Sequence, residues 1–290
     1  MITPRMLKEK VKDWIYRCPF LRGLLVNFYK LKGRRPWSAG YSFYKYSFVK
    51  DVIEHQRDIF LNQQLPACYG EGLDERAVEY PWFFARLKSQ DKRILDAGSS
   101  LNHHDLLNLS LWHGRKLHIT TLAYEGCPSS TVIKPVYTYE DLRAMNYPDA
   151  FFDAVACIST LEHVGMDNTL LYTDDYTKKE NAVDAHLQAV DEMKRVLKEG
   201  GTLYLTVPYG RHQNYGWFQI FDEAMVAQVI ARFAPQAVSS VYYKYDHRQW
   251  NIASQADCAQ GYYVDIYTQA NYNKNFPVAS QCVACLEMTK

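Results

Sequence analysis

The sequence predicts an α/β fold: a doubly wound, mainly parallel sheet of seven strands, preceded by a helical extension. Three observations carry this. From Lys92 onward, short apolar runs alternate with amphipathic helical stretches, which is the grammar of a parallel sheet with helices on both faces. Residues 152–158 read FDAVACI, apolar enough for a central strand buried on both sides. The chain has 290 residues, 48% apolar and 22% charged, so it can bury a sizeable core and is neither disordered nor fibrous.

The elements follow in order. Residues 1–50 are basic and aromatic, and Gly33-Arg34-Arg35-Pro36 and Ser38-Ala39-Gly40 break them into short pieces. Helical spacing runs over 44–63 and 75–88, separated by Pro66 and the Gly70-x-Gly72 turn. Residues 93–97 form a strand ending in Asp96-Ala97-Gly98, and 103–113 a helix. Strands are expected over 117–123, 132–138 and 152–158. A long helix over 181–198 stops at Gly200-Gly201, with Ala185, Ala189, Met193, Val196 and Leu197 near one face. A strand at 202–207, a helix at 222–233 and strands at 238–245 and 278–288 close the chain. The organisation is thus an extension, 1–90, and an α/β domain, 91–290.

The net charge of +1 is the sum of two opposite signals. Residues 1–50 hold 12 Lys/Arg against 2 Asp/Glu, a net of +10; the other 240 hold 21 against 30, a net of −9. A basic arm precedes an acidic body. No run approaches the roughly 18–20 apolar residues of a membrane span, and the first residues lack a signal-peptide core. Seven cysteines without paired spacing point to reduced thiols and a cytoplasmic protein. Cys282-x-x-Cys285 is a lone pair, read as strand cysteines rather than a zinc site.

In an open α/β sheet the ligand sits beyond the carboxyl ends of the strands, where strand order reverses. There, Gly98 lets the backbone approach a ligand closely. The G-x-G-x-x-G of a dinucleotide site is absent, because Ser99, Ser100, Leu101 and Asn102 follow Gly98; a P-loop is absent too.

Three stretches, LDAGSSLNH, YEDLRAMNYPDAFFDAVACISTLEHVG and EMKRVLKEGGTLYLTVPYG, resemble the successive motifs of class I S-adenosylmethionine-dependent methyltransferases, over about residues 92–210. The resemblance implies a Rossmann-like methyltransferase fold, S-adenosylmethionine as cofactor and S-adenosylhomocysteine as product. GLDERAVEYPWFFARL, ISTLEHVGMDN and LTVPYG further resemble a bacterial group associated with surface-polysaccharide biosynthesis.

The resemblance assigns the cofactor loop to Asp96, Ala97, Gly98, Ser99, Ser100 and Asn102, with Ser100 and Asn102 where the family holds later glycines. It implies Glu125 for the ribose hydroxyls, Asp141-Leu142 for the adenine, and Ser159 and Thr160 at the cleft edge. A hydroxyl acceptor needs a base near the transfer point. His163 is the lead, as an imidazole titrates near neutral pH; His212 and Asp167 are the other candidates, and Arg211 could contact an anionic acceptor. His103-His104-Asp105, Glu162-His163 and Asp174-Asp175 form no recognised metal motif, so no metal is assigned.

The expected reaction is methyl transfer to a hydroxyl of a sugar or glycan, an acidic or lipid-linked one among the options; the 23 tyrosines suit sugar stacking. The alternatives are a methyltransferase for a small metabolite or a protein nitrogen, and an inactive cofactor-binding scaffold in polysaccharide assembly. The arm has three readings: a folded lid, a site for an anionic acceptor, or a peripheral contact with the inner membrane surface. The acidic body and the lack of a nucleic-acid module argue against nucleic acid. The arm takes no part in the motifs, so deleting residues 1–40 is expected to spare cofactor binding.

Overall fold

The computed structural model describes residues 14–16, 18–128, 131–170, 172–265, 273 and 275–290. The extension contributes α1 (Pro19–Leu31), α2 (Tyr41–Asp51), a π turn (Val52–Gln56), α3 (Asp58–Leu61) and α4 (Arg76–Arg86). Then come β1 (Arg93–Ala97), α5 (His104–Leu107), β2 (Lys116–Thr121), β3 (Val136–Tyr139) and β4 (Phe152–Ile158). The second half holds α6 (His186–Val196), β5 (Leu197–Pro208), a small hairpin β6 (Gln213–Asn214) and β7 (Gln219–Ile220), and α7 (Glu223–Phe233). It ends with β8 (Ala237–Asp246), β9 (Gln249–Ala253), α8 (Gln255–Cys258) and β10 (Cys282–Thr289).

The main sheet runs β3-β2-β1-β4-β5-β10-β8-β9. Strands β1 to β5 are parallel, while β10 lies antiparallel between β5 and β8. The chain winds outward through β1, β2 and β3, then returns to β4 beside β1. That reversal places a cleft at the carboxyl ends of β1 and β4.

Alternation along the strands builds the core on both faces. Ile94, Ala154, Ala156, Ile158 and Tyr204 face Trp82, Phe83, Trp112 and the extension. Leu95, Ala97, Val155, Cys157, Leu203 and Leu205 face Met193 and Val196 of α6 and Val229 and Phe233 of α7. Tyr29, Tyr41 and Val49 belong to the first of these cores. The extension therefore shares its core with the sheet, and the break at residue 90 is one of composition, not of packing.

The structure corrects several expectations. Among the described residues the sheet has eight strands, not seven. The eighth, β9, hairpins back on β8 through His247 and Arg248, whose φ values of 50° and 65° are the left-handed pair a tight hairpin turn demands. Two non-glycine residues hid that turn from sequence. Strand β9 also carries Trp250, whose indole N–H donates to the Leu73 carbonyl at 3.0 Å and whose backbone N–H donates to Tyr69 at 2.9 Å. The Cys68 backbone N–H donates to Gln249 Oε1 at 2.6 Å. The far hairpin thus clasps the extension's 66–73 turn.

Only His104–Leu107 and a 3-10 turn at Ser110–Trp112 replace the helix expected over 103–113. The long helix starts at His186 and yields to β5 at Leu197, which pairs with Phe152 before a register shift; Gly200, at φ +74°, lies inside that irregular start. Cys282 and Cys285 are buried in β10, and all seven cysteines are free thiols.

Candidate active site

The cleft at the switch point encloses about 560 Å³ of space, part of it open to solvent. Gly98, Thr160, His163, Asp141 and Leu142 line it, and so do Thr121, Leu122, Arg143, Asn168, Tyr172 and Glu180.

Gly98 sits at φ +116°, and a Cβ there would collide with the Thr160 methyl and hydroxyl groups. No larger residue fits where the β1 loop and the β4 loop touch. Asp96 stands behind that loop. Its carboxylate accepts from Ser100 N–H and Ser100 Oγ, both at 3.2 Å, and from Leu101 N–H at 2.8 Å. Burial pushes its carboxyl up to about 7, against the lowering effect of those bonds. Asp96 is thus committed to shaping the loop and does not line the cleft; Ala97, fully buried at the end of β1, does not either.

Glu125 is half-buried and bonded to the same loop. It accepts from Ser99 Oγ at 2.6 Å and more loosely from Asn102 and Thr121 at 3.4 Å, while Asn102 also accepts from Tyr137 at 2.8 Å. Ser99 takes φ +65° to make this contact. The cleft wall beyond β2 is formed by Thr121 and Leu122, four and three residues before Glu125.

Asp141 does line the cleft, but Arg143 engages it through its backbone N–H at 2.9 Å and its guanidinium at 3.0 and 2.6 Å. The same guanidinium donates to both oxygens of Glu180 at 2.6 Å. Burial would raise Asp141, but these bonds outweigh it and hold the carboxyl below its usual value. Arg143 and Glu180 were not foreseen. They lie 37 residues apart and share no local pattern.

Ser159, at φ +40°, turns away from the cleft and donates to Glu79 Oε1 at 2.5 Å; Thr206 donates to the same oxygen at 2.6 Å. Glu79, fully buried on α4, also accepts from Arg76 at 2.5 Å. It ties the ends of β4 and β5 to the extension.

His163 is the one of the three candidate bases that lines the cleft. Its Nδ1 lies 2.8 Å from the Trp217 carbonyl, which can only accept, so Nδ1 carries the hydrogen and Nε2 keeps its lone pair. The ring stacks on Trp217 and meets Tyr172 edge-on. Phe218 and Tyr263 pack around Trp217 and extend an aromatic wall. Burial lowers His163 to about 4, not the near-neutral value expected from its residue type. His212 is exposed on the β6 hairpin with Nδ1 held by the Ile220 carbonyl at 2.9 Å. Asp167 is spent on a turn, accepting from Thr169 N–H at 3.0 Å and Thr169 Oγ1 at 2.5 Å, with Lys179 at 3.4 Å.

The loop after β1 is braced by the extension. Tyr80 donates to the Ser100 carbonyl at 2.7 Å, and Tyr46 stacks on His103. His103 Nδ1 accepts from Asp105 N–H, so its Nε2–H points to Tyr16 Oη at 2.9 Å. Arg22 pairs with Asp105. Among the described residues, no group of three or more His, Cys, Asp or Glu side chains is placed to hold a metal ion.

Residues 124–205 match the family model described as "Methyltransferase domain". The match begins after β2 and leaves out the Gly98 loop, where Ser100 and Asn102 depart from the usual glycines. The matched segment, residues 124–205, runs from just beyond β2 into β5 and so lies inside the α/β sheet, with the helices of the extension outside it. No curated protein matches the chain. Solved structures with a similar course include a SAM-dependent methyltransferase from Archaeoglobus fulgidus, at 10% identity and TM-score 0.44 over 86% of this chain and 99% of that one. Another is the 1,6-didemethyltoxoflavin-N1-methyltransferase of Burkholderia thailandensis, at 11% identity and TM-score 0.42 over 88% and 93%. A third, a SAM-dependent methyltransferase from Methanosarcina mazei, has 15% identity and TM-score 0.39 over 72% and 97%. Likeness at this level says nothing of the acceptor.

Proposed function

We propose that the protein transfers a methyl group from S-adenosylmethionine to a hydroxyl of a sugar or glycan. The fit of the cofactor rests on the cradle at Gly98, where a side chain would collide with Thr160, and on the facing walls at Thr121-Leu122 and Asp141-Leu142. S-adenosylmethionine supplies an electrophilic methyl on a sulfonium, so the chain's task is to align the acceptor and accept its proton.

The observation that carries the acceptor reading is His163 at the cleft wall with its Nε2 lone pair free of the Trp217 bond. An acceptor hydroxyl donates to that nitrogen, which fixes the oxygen's direction and receives the proton. Tyr172 on the cleft wall, with half-buried Trp217 and Tyr263 nearby, offers ring surface beside it suited to the C–H faces of a sugar. Burial gives His163 a low proton affinity, so its contribution as a base lies at the lower end of the usual range of about 10²–10⁴-fold. The same weak basicity favours a second reading, in which a small metabolite or protein nitrogen attacks with its own lone pair and needs no base.

Calorimetry with S-adenosylmethionine, followed by transfer of labelled methyl to hydroxyl and amine acceptors, separates these readings. Absence of cofactor binding ends both. Label on sugar hydroxyls, lost in His163→Ala, upholds the first; label on amines, unaffected by His163→Ala, moves the function to the second. Binding with no transfer to any acceptor leaves a scaffold in polysaccharide assembly.

A further inference from the structure

Helix α1 carries an apolar stripe that no described residue covers. Phe20, Leu24, Phe28 and Leu31 are 74%, 50%, 49% and 86% exposed. At ~100° per residue these four side chains fall within an arc of about 80°. The opposite side of the helix is already used: Tyr29 is buried against Tyr41, and Arg22 bonds Ser47 and Asp105. The outward stripe is therefore not needed to dock α1 on the sheet domain.

Charge borders the stripe. Lys30 lies on one side of it, and Lys32, directly after the helix, lies on the other with its ammonium over the Phe28 ring. Arg35 is exposed just beyond, and Trp14 and Trp37 flank the helix, 61% and 42% exposed. We propose that this face lies in the interfacial plane of an anionic lipid membrane, with the four apolar side chains at the acyl boundary and the lysines at the lipid phosphates. The charge division supports this occupant: Lys30, Lys32 and Arg35, exposed beside the stripe in a segment of net +10, are attracted to such a surface, while the −9 of the remainder favours turning the body away from it. No described helix is long and apolar enough to cross a membrane, so the contact lies on the surface.

A second copy of the chain is a poorer occupant. A 13-residue helix is about 20 Å long, and a stripe that size covers a few hundred Å², well short of the ~1,200 Å² of a stable interface. Two arms of the same sign would also repel. The inference does not depend on the acceptor or on methyl transfer.

The test is co-sedimentation of the full chain with vesicles of phosphatidylcholine alone and of phosphatidylcholine containing phosphatidylglycerol. Binding is expected about tenfold stronger to the anionic vesicles, and weaker at high salt. The surface variant Phe20→Ser/Leu24→Ser/Phe28→Ser should keep its melting transition and lose vesicle binding about tenfold or more. Lys30→Glu/Lys32→Glu should lose the preference for anionic lipid. Wild-type protein that ignores both vesicles overturns the proposal. So does undiminished binding by the triple serine variant, or a wild-type dimer in sedimentation that the triple variant abolishes.

Discussion

Arg22 grips Asp105 with two hydrogen bonds, of 2.8 and 2.6 Å, and so fastens the basic extension to the helix that follows the Gly98 loop. Asp105 is almost wholly buried. Burial pushes its carboxyl up, but the bonds from His104 and Arg22 outweigh that and take it down to about 2.

Arg22→Ala leaves that carboxylate buried without its main partner and should destabilise the fold by about 3 kcal/mol. Arg22→Lys should recover only part, because an ammonium cannot make the paired contact. Urea denaturation measures both. Asp105 is depressed in the folded state, so its stabilisation is whole above its unfolded value of 3.8 and is lost as pH falls through about 2. By the same contacts, deletion of residues 1–40 should weaken cofactor binding, contrary to what charge segregation suggests; unchanged affinity in calorimetry would contradict this.

Gly98→Ala should abolish cofactor binding or lower it at least about 100-fold, because the methyl meets Thr160 and the residue keeps φ +116°. Thr160→Ala cannot relieve the clash, since Thr160 Cβ would still stand 2.7 Å from the new methyl. Thr160→Gly removes the contact but not the backbone strain, so the double variant should recover only partly. Full recovery would mean the dihedral does not matter.

His163 should give no titration limb near pH 6.5 in kcat/KM. Its folded value is about 4, so Nε2 remains a proton acceptor throughout roughly pH 6–9. The stability sign follows: a depressed histidine charges first in the unfolded chain, so stability is whole above about 6.5 and declines as pH falls toward 4. A pH–rate profile with an acid limb at 6.5 that vanishes in His163→Gln would refute the burial argument.

Asp96 works in the opposite direction. Its folded value, raised by burial to about 7, means the unfolded chain ionises first, and stability drops as pH rises from 3.8 through 7. Asp96→Asn mimics the protonated acid and should flatten that slope, whereas Asp96→Ala should loosen the Ser100–Leu101 turn and cost about 1–3 kcal/mol. Denaturation midpoints compared at pH 5 and pH 8 measure the slope for each variant.

Arg143→Ala should cost little stability, about 1 kcal/mol or less, because the cluster is partly solvated. It should nonetheless weaken cofactor binding about tenfold, since the neighbouring carboxylates of Asp141 and Glu180, which share an Arg143 nitrogen, then repel each other at the cleft wall. Equal affinity in a titration would show that the trio is only a surface ion pair.

Local pattern revealed the strands at Arg93–Ala97 and Phe152–Ile158, because each is a short apolar run bounded by polar turns. It overran α6, because only pairing with Phe152 converts Leu197 from helix to strand. That Gly98, Thr160 and His163 line the cleft was legible from their place after β1 and β4. The bonds of Glu125 with Ser99 and Asn102 were not legible, because they join residues 26 and 23 positions apart. Arg143 with Glu180, and the bracing by Tyr16 and Arg22, depend on three-dimensional approach and leave no periodic trace. Net charge separated the extension from the body, while packing joins them.

The clasp of Trp250 and Gln249 on the 66–73 turn bears on how the chain is made. Cys68 and Gln249 are 181 residues apart, so at about 5–20 residues per second the ribosome takes about 10–40 s to deliver the second after the first. During that interval the helices at the front of the chain have left the tunnel without the strand that closes their turn. Closure of that turn is therefore a late event, which waits for Gln249 and Trp250 to be synthesised.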